Sequence, residues 1–208
     1  MKRFTQLALA VGLPALAASS AVLYFNRRPA RRIPPAEHLV VSPADGRVIH
    51  IEHADSSQIA FFKHDVKNVL DLVELKPPFQ IVVIELHLGN VHVQRAPIAG
   101  KVIGSHYYPG RKANVLHSAN RERMVNSNEK LLTVIASPRG AVGVVQVAGL
   151  AARRIIKFAG LGADVVKGQE IGLITFGSQV VLILPARATL QLAVGARVTD
   201  GETVVAHL

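Results

Sequence analysis

The sequence predicts a mostly β domain, α+β at most, standing behind an N-terminal membrane-anchor helix. Three observations carry this: short β-branched runs punctuated by Gly and Pro beyond residue 35, scarce helix signals, and one long apolar stretch near the start. With 208 residues, 50% hydrophobic and 18% charged, the chain can bury one sizeable core, and disorder or collagen-like repetition is excluded. It has no cysteine, which excludes disulfides, thiolate metal sites and a cysteine nucleophile. Few aromatics and no tryptophan argue against a base-stacking nucleic-acid binder despite a net charge of +10.

Residues 1–35 read as an anchor and basic linker. Lys2, Arg3, Arg27, Arg28, Arg31 and Arg32 fall in this stretch, which holds no Asp or Glu, leaving only +4 for the remainder. Between the two basic clusters, Leu7 to Phe25 is uncharged and mostly apolar; as a helix it would span about 28 Å, near the ~30 Å of a hydrocarbon core. Tyr24 and the Arg27–Arg28 pair suit the interface, and the greater positive charge after the segment places the bulk of the chain on the cytoplasmic side of a cell membrane. Two readings compete: a secretory signal, with Ala17, Ala18 and Ser20 near a cleavage point, and a soluble core helix, against which the missing polar face argues.

Pro34 and Pro35 close the linker, and residues 36–208 form the domain. Strands are expected at Arg47 to Glu52, Gln80 to Leu86, Gly100 to Ser105, Lys130 to Ala136, Ala141 to Val147, Gly172 to Ile174, Gln179 to Leu184 and Thr203 to His207. One helix is expected within Ala60 to Leu75. Gly162-Ala-Asp-Val-Val-Lys-Gly-Gln-Glu-Ile is echoed by Gly195-Ala-Arg-Val-Thr-Asp-Gly-Glu-Thr-Val, and Pro43-Ala-Asp-Gly-Arg-Val by Pro97-Ile-Ala-Gly-Lys-Val. Each unit turns on glycine before an outgoing strand. This repetition resembles the barrel-sandwich hybrid of biotinyl and lipoyl carrier domains, although neither Met-Lys-Met nor Asp-Lys-Ala occurs.

Phe176-Gly177-Ser178 lies between two apolar runs. It is either an ordinary glycine turn or a self-cleavage site, in which the serine hydroxyl attacks the glycine carbonyl, left unshielded by any side chain. Elimination of the resulting ester gives dehydroalanine, which hydrolyses to ammonia and an N-terminal pyruvoyl ketone. His92, flanked by valines, is either a half-buried strand residue or a proton donor and acceptor. Asp45 forms a turn or orients an imidazole. Arg95, Arg153 and Arg154 either bind phosphate or carboxylate or are solvated edge residues.

In this order, Ser42-Pro-Ala-Asp-Gly-Arg-Val, Val91-His-Val-Gln-Arg-Ala-Pro-Ile-Ala-Gly, Asn128-Glu-Lys, Val147-Ala-Gly-Leu-Ala-Ala-Arg-Arg-Ile and Gly172-Leu-Ile-Thr-Phe-Gly-Ser resemble the short, pyruvoyl-dependent phosphatidylserine decarboxylases, including archaetidylserine decarboxylase-like members. The resemblance implies cleavage between Gly177 and Ser178, giving a β chain of residues 1–177 and an α chain of residues 178–208. The pyruvoyl group from Ser178 would be the only cofactor, with no metal, and would form a Schiff base with the headgroup amine of phosphatidylserine. His92 would protonate the carbanion left by loss of carbon dioxide. The implied partners are an anionic phospholipid membrane and, optionally, a second copy of the chain; no nucleic acid is implied. Longer relatives carry a second histidine where this chain has Arg95, and Asn90 and Gln94 also depart from the pattern of the short members, so Asp45 and His92 are the candidates for activating Ser178. Two rival readings stand beside this one: a non-catalytic membrane-tethered adaptor or carrier, and an inactive decarboxylase relative.

Overall fold

The computed structural model describes residues 23–24, 26–63, 66–110, 128–149, 154–175 and 179–208. Its strands are β1 (Leu39–Val41), β2 (Gly46–Ala54), β3 (Gln58–Lys63), β4 (Val66–Asp71), β5 (Phe79–Glu85), β6 (Val93–Arg95), β7 (Gly100–Tyr108) and β8 (Lys130–Ser137). They continue with β9 (Gly140–Val147), β10 (Ile155–Lys157), β11 (Asp164–Val165), β12 (Glu170–Ile174), β13 (Gln179–Pro185), β14 (Thr189–Leu190), β15 (Arg197–Val198) and β16 (Val204–His207). The mostly β expectation holds.

Eight strands make one antiparallel sheet in the order β11-β7-β8-β9-β13-β5-β2-β15, and β10-β12-β6 and β1-β16-β14 make two small sheets. The central strands are apolar without alternation because both of their faces are covered. Ile81, Val83, Val181 and Ile183 face one side of the sheet, while Val82, Ile84, Val180 and Leu182 face the other. β13 runs between β5 and β9, with Val181 opposite both Val83 and Val145.

The helix expected over 60–75 is a correction: this stretch belongs to a hairpin, β3 paired with β4. Ile59, Phe61 and Lys63 point inward and Gln58, Ala60 and Phe62 outward, a period of two. Ile59, Phe61, Leu70 and Leu72 cover the sheet face that carries Ile81, Val83, Val181 and Ile183. Burying that alternating set outweighs local helix propensity.

The two repeats fold alike, one at each edge of the large sheet. β15 pairs with β2 through Arg197 and Arg47, and β11 with β7 through Asp164 and Lys101. The Val48 N–H donates to the Ala196 carbonyl at 2.9 Å, and in the second copy the Val102 N–H donates to the Ala163 carbonyl at 2.8 Å. Gly46 and Gly100 are required, because a Cβ would collide with the backbone carbonyls of Glu85 and Ala136. The two copies also brace one another: the Arg95 N–H donates to the Pro43 carbonyl at 2.9 Å and the Val41 N–H to the Pro97 carbonyl at 3.0 Å.

Leu23 and Tyr24 are helical, but most of the anchor segment, residues 1–22 and Phe25, lies outside the described residues. No helix among the described residues is long and apolar enough to cross a membrane.

Candidate active site

Phe176, Gly177 and Ser178 lie outside the described residues, but both flanks are fixed. On the near side, the Ile174 N–H donates to the His92 carbonyl at 3.0 Å and the Thr175 N–H to the Arg154 carbonyl at 3.0 Å. On the far side Gln179 opens β13, opposite Glu85 and Val147, and its side-chain amide donates to the Phe62 carbonyl at 3.1 Å. The near flank therefore lies beside β6, the strand that follows His92, while the far flank opens β13 between β5 and β9.

His92 is fully buried. Its Nδ1 lies 3.0 Å from the Asn90 carbonyl, an acceptor, so Nδ1 carries the proton and the neutral ring has its lone pair on Nε2. Burial pushes its pKa below 6.5; the Asn90 bond and Asp45 oppose this, and the charges of Arg27 and Lys63 add to it. Beneath the ring, the Gln94 amide donates to the His92 carbonyl at 2.8 Å and accepts from Gln146 at 2.7 Å. Gly172 gives that glutamine room, since a Cβ there would lie 2.6 Å from Gln146 Nε2.

Asp45 reaches the same loop through the backbone. Its Oδ2 accepts from the Val91 N–H at 3.2 Å, and Oδ1 accepts from the Asp200 N–H at 2.9 Å and from Arg31 at 3.0 Å. Burial alone would raise its pKa, but these hydrogen bonds and the Arg31 charge hold it below 3.8. Asp200, completely buried, is pushed up to about 6 by burial and by the neighbouring Asp45 carboxylate, against the pull of Arg31 and Arg95.

Arg95 is committed to the chain itself. Nε donates to Asp200 at 2.7 Å, and the terminal nitrogens donate to the carbonyls of Gly168 (3.0 Å) and Pro29 (3.1 Å) and to Glu170 (3.3 Å). Arg154 contributes its carbonyl to Thr175, with its side chain exposed, and Arg153 lies outside the described residues. Two arginines of the linker are likewise engaged within the chain, Arg31 because a buried carboxylate needs a cation. Arg28 pairs with Glu170 at 2.9 Å over the Phe158 ring, and Arg31 pairs with Asp45 and Asp200.

Several polar residues here had no role in the sequence reading. Lys63 is 4% exposed, with its pKa lowered by burial to about 8 and only Glu85 opposing. Lys130, lowered to about 8 by burial, donates to Asn68 at 3.1 Å and to the Asn128 carbonyl at 3.2 Å. The available signal was a lysine closing the apolar run of β3 and another opening that of β8, the latter already within the Asn128-Glu-Lys motif. For Asp200 it was the repeat, where the equivalent position is Lys167. No group of three or more His, Asp or Glu placed to hold a metal occurs among the described residues. A cleft of about 740 Å³ lies elsewhere, lined by Ile98, Ser137, Arg139 and Lys167 among others, and neither His92 nor Asp45 reaches it.

Comparison with known proteins identifies a family. The family model for phosphatidylserine decarboxylase matches residues 19–206. A protein of Methanothermobacter thermautotrophicus whose name gives archaetidylserine decarboxylase proenzyme is 36% identical over 205 residues, covering 95% of this chain and 85% of its own. The phosphatidylserine decarboxylase proenzyme of Ehrlichia ruminantium is 32% identical over 198 residues, covering 95% of this chain and 80% of its own. With residues 19–206 matched by that family model and two relatives above 30% identity over 95% of its length, the chain belongs to the phosphatidylserine decarboxylase family.

Proposed function

We propose that this protein removes carbon dioxide from the serine headgroup of phosphatidylserine, yielding the ethanolamine lipid, after cutting itself between Gly177 and Ser178. The observation that carries the reading is the placement of Ile174 and Gln179, the described flanks of that bond, with Ile174 bonded directly to the His92 carbonyl. The names of the two relatives support the serine-headgroup substrate and synthesis as a proenzyme.

The pyruvoyl ketone made from Ser178 would supply an amine-condensing electrophile and an electron sink for decarboxylation. The donor set beside the flanks fits such a group: one neutral imidazole, one buried amine at Lys63 and no metal-ligand cluster among the described residues. His92 starts neutral, so it takes a proton at Nε2 before returning one to the developing carbanion, while the Asn90 carbonyl keeps Nδ1–H in place. Arg154, with Arg153 beside it, is the candidate for the lipid phosphate, since Arg95 is occupied within the chain. The low-dielectric surroundings of His92 strengthen the hydrogen bond that holds its ring.

After cleavage the α chain stays embedded. Its β13 lies between β5 and β9, its β15 pairs with β2 and its β16 with β1, so three of its strands pair with strands of the β chain. We further propose that Leu7 to Phe25 anchors the protein in the cell membrane with the domain on the cytoplasmic side, where substrate headgroups are presented.

Intact-mass measurement of the expressed protein tests the proposal. Two fragments are expected, the smaller lacking an N-terminal amine, together with release of carbon dioxide from phosphatidylserine. Ser178→Ala is expected to give one chain and no release. A single uncleaved wild-type chain would favour the adaptor or inactive-relative readings.

A further inference from the structure

The linker does more than connect anchor to domain. Ile33 packs against Gly168 and Gly201, where a Cβ on either glycine would collide with it, and the Pro29 carbonyl accepts from Arg95 at 3.1 Å. Between these two points Arg31 enters the domain with its side chain only 12% exposed. Its guanidinium sits against Asp45 Oδ1 at 3.0 Å and against Asp200.

Those two carboxylates face each other in a site where Asp200 is fully buried, so both cannot be ionised without a cation between them. Arg95 neutralises the outer edge of Asp200, and Arg31 the space shared by Asp200 and Asp45. Asp45 in turn accepts the N–H of Val91, the residue before His92. An unbroken series of contacts therefore runs from the linker to the catalytic imidazole: Arg31 to Asp45, Asp45 to Val91, Val91 to His92.

We infer that Arg31 is a positioning residue of the active site, fixing Asp45 and through it the backbone that carries His92. This rests on the decarboxylase reading above. It separates Arg31 from its exposed neighbour Arg32, whose backbone N–H donates to Glu202 at 2.7 Å. The Arg32 side chain is exposed, whereas that of Arg31 is built into the carboxylate site.

The test uses the full-length protein in neutral detergent micelles containing phosphatidylserine. Wild-type self-cleavage and turnover check the decarboxylase reading independently. Arg31→Gln is expected to lower kcat at least tenfold and by as much as ~10²-fold, with KM within twofold, because misplacing a reacting group acts on the chemical step. Arg31→Lys keeps the charge without the fork and is expected to recover part of that rate. Arg32→Gln is expected to match wild type. Counted per cleaved molecule, Asp45→Asn should show the same kcat loss as Arg31→Gln, and the double variant no more than either single one, as for two residues in one series. If Arg31→Gln is insoluble, Arg31→Lys and Asp45→Asn carry the comparison. Unchanged kcat in Arg31→Gln, or losses that multiply in the double variant, would overturn the inference. So would equal KM increases in Arg31→Gln and Arg32→Gln on anionic vesicles with kcat intact, which is the signature of simple lipid attraction.

Discussion

Asp200 should give the protein an inverted pH response that one substitution removes. It is fully buried, its pKa is pushed to about 6 from an ordinary 3.8, and the charged groups facing it are Asp45, Arg31 and Arg95, with Glu170 beyond Arg95. A raised carboxyl pKa means that the folded state favours the protonated form. The associated stability is complete below pH 3.8 and is lost as pH climbs through about 6. The difference of roughly two pH units corresponds to about 3 kcal/mol. Asp45 acts in the opposite direction: its lowered pKa gives stability that is present above 3.8 and lost on acidification below it. The assay is urea unfolding from pH 4 to pH 7.5 in detergent on the uncleaved Ser178→Ala chain, where a single polypeptide permits a two-state treatment. Asp200→Asn in that background should flatten the fall between pH 4 and 6.5 by about 3 kcal/mol relative to its parent. Identical slopes in the two proteins would refute the reasoning.

Other consequences can be measured more simply. His92→Ala, assayed on already cleaved enzyme, should lose ~10²- to 10⁴-fold in decarboxylation, as expected when a general acid–base group is removed. In wild type the acid limb of kcat/KM should lie below pH 6.5, since protonation of a ring whose pKa is lowered by burial removes the Nε2 acceptor; residual His92→Ala activity should lack that limb. Lys63→Met should stabilise the protein at pH 7 by up to about 3 kcal/mol, since a lysine lowered to about 8 costs the folded state while it is charged. That gain should shrink towards pH 10.5 in denaturant titrations. Gly172→Ala should cost about 1–3 kcal/mol by thermal unfolding, because its Cβ would meet both Gln146 and, at 3.0 Å, the Ile156 carbonyl.

Legibility in the sequence followed the range of the interactions. The strand expected at Gln179 to Leu184 appears as Gln179–Pro185, and that at Lys130 to Ala136 as Lys130–Ser137, because an uninterrupted β-branched run states its own burial. The glycine-turned repeats were equally visible and mark both edges of the sheet. The segment at 60–75 misled because Ala60, Phe61 and Phe62 suit several local structures, and only packing of Ile59 and Phe61 on the sheet selects the hairpin. At the site, His92 and Asp45 stood out through their motifs. The partners of Asp45 did not, since Asp200 lies 155 positions away and Arg31 14 positions away in the linker, and no local pattern reports either pairing. Arg95 read equally as an anion binder or a solvated edge residue, and its actual partners, the internal carboxylates Asp200 and Glu170, were not legible.

The interior position of β13 imposes an order of events on the life of the molecule. A strand hydrogen-bonded to β5 on one side and β9 on the other cannot be slipped into a finished sheet from outside. With the cut proposed between Gly177 and Ser178, assembly must precede scission, and the 31-residue fragment so released would be retained only by the architecture it helped to build. Once unfolded, the matured pair has lost the tether that made the central pairing intramolecular, and rejoining becomes a concentration-dependent search. The working enzyme is in this sense a one-way object, whose durability is set by how slowly it opens.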